Sequence, residues 1–386
     1  VISGKYTDDG RPMLWKLRDT DFHKNKMCYF RDGKYHYIGL INSKDVEGKE
    51  IWAGSNSEGF SIMNSASFNV NLDTKSKKTI QDQEGVFMKK ALQSCRDLQA
   101  FEKLLRKTKK PMGLAAHFGV IDRFGNAAFY EVNNHQYRKF DANDPGLAPN
   151  GYIIRTNFSH TGKKDSGYGF IRYQTAQSIF HEADSRKKLN YRTVISEFSR
   201  CFRHPVLDED FRKTYVGIPG GNHFINSGDL ITRHGTASSI LIQGIKRGDP
   251  KEMSTIWTTI GFPHTCVTLP LWVRGGVELP KLLTAEAAEN SRLNQWALEL
   301  KKHCYPIQRS SGYKYMQISA LLNSDKTGIL QQIEAFEQTI FRETEKRLIK
   351  WRKNEIPKRE IEAYYRQLDQ MVSTFYTDKL GVNHEK

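Results

Sequence analysis

The chain has 386 residues, a net charge of +16 and many aromatic side chains. That length supports a sizeable core in one large or two ordinary domains, and that composition excludes a disordered chain. No apolar run approaches the roughly 18 residues that a spanning helix needs, so no membrane span is expected.

In chain order, the first two thirds read mostly as strands. "MLWKLRDTDF" (13–22) starts as an apolar strand and ends in Arg18, Asp19 and Asp21. Short β-rich runs follow at 36–41, 51–54 and 59–64, divided by polar and glycine turns. Residues 114–132 read as two strands around a turn at Asp122–Gly125, and 151–158 as another strand. The runs 237–245, 254–262 and 269–276 complete this part. Few neighbouring runs are separated by a crossover helix, so largely antiparallel sheets are expected.

Helices interrupt the strands. Phe87, Ala91, Leu92, Cys95, Leu98, Phe101 and Leu105 recur at helical spacing, which predicts one helix over 87–106. A second helical stretch covers 170–200. Near the end, Ile329, Ile333, Phe336, Ile340 and Leu348 form one stripe, and Ile361, Tyr364, Leu368, Val372 and Phe375 another. Pro357 divides them, which predicts a terminal helical hairpin. The division expected is a domain over 1–280 with a helical extension, 281–386, packed on it. Two loops, 159–169 and 216–229, are candidate pocket walls.

The charge raises nucleic acid as a partner, but the basic runs at 75–78, 106–110 and 186–188 are short and sit beside turns or helix ends. Solvated surface is the better reading, and no nucleic-acid partner is expected. The five cysteines are far apart and form no C-x-x-C pair, and the histidines show no ligand spacing. Neither a metal nor another cofactor is expected. The chain opens on Val1 rather than methionine, which fits a removed signal peptide and a secreted or periplasmic protein. The oligomeric state is left open.

Three elements could carry chemistry. Arg18 and Asp21 close the first strand. A surface ion pair would explain them, but so would a site in which arginine favours a thiolate and aspartate accepts from an amine or thiol. Asn157, in "RTNFS", is either a turn-capping amide or a donor to a developing oxyanion. Asn64, Ser65 and Ala66 end a strand whose backbone N–H groups could complete an oxyanion hole.

Together and in order, "DGRPMLWKLRDTDF", "NSEGFSIMNSASFN", "FGVIDRFGNAAFYEV", "RTNFS" and "TRHGTASSILIQG" resemble the N-terminal-nucleophile (Ntn) amide hydrolases. The nearest branch is that of acyl-coenzyme A:6-aminopenicillanate acyltransferase, with bile salt hydrolase and penicillin V acylase more distant. The resemblance spans about residues 1–275. It implies an αββα sandwich: two antiparallel sheets face to face, with helices outside. It also implies a small-molecule N-acyl amide as substrate and a mature N-terminal cysteine whose own α-amine is the base. Arg18 and Asp21 match the R-x-x-D pattern beside that nucleophile. Asn157 matches the oxyanion asparagine. The further arginine of the family falls on Arg233 or Arg172. Because residue 1 is valine, the cysteine is expected a few residues upstream. An amine acyltransferase and a binding protein without a nucleophile are the rival readings.

Overall fold

The computed structural model describes residues 1–70, 82–354 and 357–382. The basic run at 75–78 lies outside them. Two antiparallel sheets form the centre. The larger has seven strands in sequential order: β2 (Asn25–Phe30), β3 (Tyr37–Asn42), β4 (Ala53–Asn56), β5 (Ser61–Ala66), β6 (Ala116–Ile121), β7 (Ala127–Val132) and β8 (Tyr137–Asp141) run as a meander. The smaller has four strands in the order β1 (Met13–Asp19), β9 (Thr236–Gln243), β10 (Thr255–Ile260) and β11 (Leu269–Leu271).

Alternation sorts the apolar residues into layers. Leu14, Ile240, Ile242 and Ile256 of the small sheet meet Ile38, Leu40, Met63 and Phe129 of the large one in a shared core. The outer face of the large sheet, including Phe60, Ile62, Phe118 and Tyr130, is covered by α1 (Glu84–Ser94) and α2 (Leu98–Lys107). The outer face of the small sheet presents Met13, Leu241 and Trp257 to α3 (Phe170–Ser185) and the turns after it. This is the αββα four-layer sandwich expected from the sequence.

The helix expected over 87–106 is two helices. The Asp97 side chain accepts from Ala100 N at 2.8 Å and so starts a new helix in mid-stripe. The carbonyls freed at the end of α1 do not go unmet. Asn56 donates to Leu92 O at 2.9 Å and Cys95 O at 2.7 Å. The helical stretch expected over 170–200 is interrupted rather than continuous: α3 ends at Ser185 and helical turns resume over 191–198. Residues 151–158 join no sheet; they touch the chain through isolated bridges at Tyr152 and Asn157. All five cysteines are free thiols, four of them buried.

Three further helices complete the C-terminal part: α4 (Arg292–Cys304), α5 (Ile329–Trp351) and α6 (Lys358–Asp378). The last two form the expected hairpin, with Phe336 and Phe375 stacked at 4.2 Å. Ile333, Ile340, Leu368 and Val372 belong to the same core as the facing sheets. A charged pair sits inside this packing. Arg200 donates to both carboxylate oxygens of Glu337 at 2.6 and 2.8 Å, and to Pro263 O and Cys266 O. Glu337 also accepts from Thr268 N at 2.6 Å. Both side chains are excluded from solvent, so each depends on the other for compensation.

Removing one member should therefore cost far more than its area suggests. Glu337→Ala is expected to lower unfolding stability by about 3–5 kcal/mol. The double variant Arg200→Met/Glu337→Met should lose much less than the two single losses added together. Urea titrations of the three variants test this, and additive losses would refute it.

Candidate active site

A cavity of about 1280 Å³ opens at one end of the sandwich, between β1, the end of β5 and residues 153–157. β1 makes its wall by simple alternation. Leu14 lies in the core between the sheets, and the next two residues on that face are Lys16 and Arg18. The interior therefore changes from apolar to cationic along one strand.

Arg18 is buried, at 5 % exposure. It donates to Asn25 Oδ1 at 2.7 Å and Asn42 Oδ1 at 2.8 Å, and its guanidinium lies 4.9 Å from the Trp52 ring centre. Its partners are neutral, so burial pulls its pKa down to about 10, with Glu50 opposing the fall. Lys16 is also buried. Its Nζ donates to Trp52 O at 2.7 Å and to Asn64 Oδ1. Burial, reinforced by the Arg18 charge, holds the lysine well below its ordinary value.

Asp21 does not follow Arg18 inward. It is exposed, at the rim of the cavity. The reason is a break in register: Arg18 pairs with Ser238 but Asp19 with Thr236. The strand ends there. Asp19, not Asp21, makes the local ion pair, accepting from Arg233 Nε at 2.8 Å and Thr236 Oγ1 at 2.7 Å. Of the two residues matched to the R-x-x-D pattern, only Arg18 is buried.

Asn157 sits on the uncovered edge of β5. β4 pairs with β5 only as far as Met63, leaving residues 64–66 unpaired on that side. Ser67 N bonds Ala115 O across to the β6 side, so alternation turns the amides of Asn64 and Ala66 away from β6. Asn157 meets this edge twice: Phe68 N donates to its backbone oxygen at 3.2 Å, and its Nδ2 donates to Ala66 O at 3.0 Å. Arg172 donates to Asn157 Oδ1 at 2.8 Å, which fixes the way the amide faces. Ser65 is tied in as well, through Oγ to Thr156 O at 2.7 Å. Asn64, Ser65, Ala66, Asn157, Arg172 and Arg233 all border the cavity. Of the two loops expected as walls, 216–229 contributes Ser227 and Gly228, whereas His160 of 159–169 borders a separate cavity of about 530 Å³.

Val1 and Ile2 enter the cavity from its inner end. Val1 N and Ile153 O are 3.0 Å apart, and Ile2 bridges Met13 on one side and Tyr152 on the other. Beyond Ile2 these flanking segments continue with no described strand between them. The unpaired edge of β1, from Trp15 to Arg18, faces residues 154–157 across the cavity. Arg18 is five residues on from Met13, and Asn157 is five on from Tyr152. Among the described residues, no group of acidic, cysteine and histidine side chains could hold a metal.

Sequence reasoning missed Lys16 and Trp52, although the period of two in "LWKLRD" puts Lys16 on the Arg18 face. It also missed the buried brace behind Asn157. His117 Nε2 is hydrogen-bonded to Ser159 Oγ at 2.9 Å, and Ser159 Oγ to Ser67 Oγ at 2.7 Å. Arg155 pairs with Glu131 at 2.7 Å, and Glu131 also accepts from Thr161 and from His160 N. Burial and then the Arg155 charge hold His117 neutral. Burial alone would raise Glu131, but the Thr161 hydrogen bond and the Arg155 charge outweigh it and lower its pKa.

Both shifts act in one direction. Each group binds fewer protons folded than unfolded in acid, so stability falls as pH falls. The His117 contribution is complete above its ordinary value of 6.5 and declines below it; the Glu131 contribution follows below 4.5. His117→Gln should therefore lose less melting temperature than wild type between about pH 7 and about pH 5. Parallel curves would show that His117 does not carry this sensitivity.

No family model and no curated protein matches the sequence. Solved structures resemble it at low identity. An orthologue of N-acylethanolamine-hydrolyzing acid amidase from Caenorhabditis elegans is 13 % identical with a TM-score of 0.40, over 61 % of this chain and 89 % of that one. A variant of conjugated bile acid hydrolase from Clostridium perfringens is 11 % identical with a TM-score of 0.38, over 69 % and 90 %. Penicillin V acylase from Agrobacterium tumefaciens is 10 % identical with a TM-score of 0.35, over 69 % and 84 %. Likeness at that level assigns no residue a role.

Proposed function

We propose that this chain is the body of an N-terminal-nucleophile cysteine amidohydrolase that cleaves a linear amide C–N bond of an N-acyl substrate. One observation carries the reading: the open slot between β1 and residues 154–157 lies in line with Val1–Ile2, and Arg18 and Asn157 face it at the same register. Antiparallel pairing advances one residue on each strand per step. A chain continued upstream of Val1 in the same register would set its fourth residue before Val1 opposite both Arg18 and Asn157. That residue shares the inward face of Val1 and Leu14, because side chains alternate. A cysteine at that position, as a new amino terminus, is the proposed nucleophile.

The chemistry then follows from the walls. The α-amine takes the thiol proton, at an ordinary amine pKa of about 7.7–8.0. Arg18, held by neutral amides, favours the thiolate. Asp21, open to the cavity at its rim, accepts from the amine. The thiolate sulfur bonds the amide carbon, and the carbonyl electrons move to oxygen. Asn157 Nδ2 keeps a second N–H beyond the one given to Ala66, and with the Asn64 or Ala66 amide it donates to that oxyanion. The C–N bond breaks as the amine group returns its proton to the leaving nitrogen. Water, deprotonated by the same amine, then cleaves the thioester.

Two measurements test this. Intact mass of the protein expressed with its natural upstream sequence should give a mature chain starting with cysteine four residues before Val1. Another residue at that start would sink the nucleophile. In that protein Asn157→Ala should lose on the order of 10²–10³ in kcat on every N-acyl amide turned over. It should remain folded, because the lost hydrogen bonds are each worth about 1 kcal/mol net. A folded variant with near-normal kcat would leave Asn157 as a turn residue only.

A further inference from the structure

Lys16 is the buried charge that the proposed reaction does not use. It is 8 % exposed and borders the cavity. No described carboxylate lies within ion-pair reach of its Nζ, whose partners are Trp52 O and Asn64 Oδ1.

The Asn64 side chain shows what the lysine does. An amide has one acceptor end and one donor end. Lys16 can only donate while it is an ammonium, and its contact is with the acceptor end of Asn64. The NH2 end must then point the other way. Asn64 is 6 % exposed, sits at the end of β5 where β4 no longer covers it, and borders the cavity. Without the lysine, the amide could turn over and present its oxygen, which would repel a developing oxyanion.

We infer that Lys16 is a positioning residue: by gripping Asn64 Oδ1 it holds the Asn64 NH2 toward the cavity as a side-chain donor to the reacting carbonyl oxygen. This rests on the amidohydrolase reading. It adds an oxyanion donor, Asn64 Nδ2, and assigns Lys16 the task of orienting it. Lys16 itself touches no reacting atom.

The test is a double-mutant cycle in the full-length enzyme carrying its upstream cysteine. Lys16→Met fills the same space without a donor, and thermal melts check that each variant folds. Asn64→Ala should lose about 100-fold in kcat with little change in KM, as for loss of one oxyanion donor. Lys16→Met should lose about 10- to 100-fold, and the double variant should be no worse than Asn64→Ala alone. Asn64→Asp keeps a partner for Lys16 but has no NH2. It should lose as much kcat as Asn64→Ala while keeping the wild-type melting temperature. Multiplicative losses in the double variant, or full kcat in Lys16→Met or Asn64→Asp, would overturn the proposal. A wild-type full-length enzyme that turns over no N-acyl amide would instead remove the reaction itself, and this role with it.

Discussion

β1 is hydrogen-bonded to β9 along one edge and, past Met13, to no described strand along the other. An unpaired edge inside a molecule is costly, because its N–H and C=O groups need partners. Here the edge is not covered by a neighbouring strand but left facing a cavity. The large sheet repeats the arrangement: β4 begins only at Ala53, opposite Met63, and bares the end of β5. The two bare edges, with residues 153–157 beside them, bound one space. The site is the place where both sheets leave pairing unfinished, which is why backbone and side-chain amides converge there.

Electrostatics in that space are unusual because the cations are held by neutral oxygens. Arg18 and Lys16 rest on Asn25, Asn42, Asn64 and the Trp52 carbonyl, with the Trp52 ring alongside both. Amide dipoles orient the charges without neutralising them. Asp19 with Arg233 and Glu131 with Arg155 close ion pairs at the margins, while Asp21, Glu50 and Glu84 also border the cavity. The ion pairs at the margins hold the walls in place.

Much of the layer structure could be read from the sequence. β9 and β10 are apolar on both faces because each is buried on both sides, and their runs were plain. β2 and β8 escaped notice. They are the two edges of the large sheet, and "YRKFD" carries charge at three of its five positions because none of it is fully buried. α4 was also missed, although Leu293, Trp296, Ala297, Leu300 and Cys304 mark its buried stripe. In the site, Arg18, Asn157 and Asn64 could be named from short motifs. Their order in space could not, because it depends on a register break at Asp19 and on where β4 begins. Both are long-range pairings that no local pattern encodes.

The Arg200–Glu337 pair has a bearing on how such a chain can change over generations. Its members are 137 residues apart in sequence and touch no solvent. Loss of either one leaves the other charged and dry without its counter-charge, so neither can drift by itself. A lineage must exchange both together or retain both. The same holds for the C-terminal hairpin that Glu337 anchors. Removing that hairpin would leave Arg200 buried within the sandwich without its counter-charge.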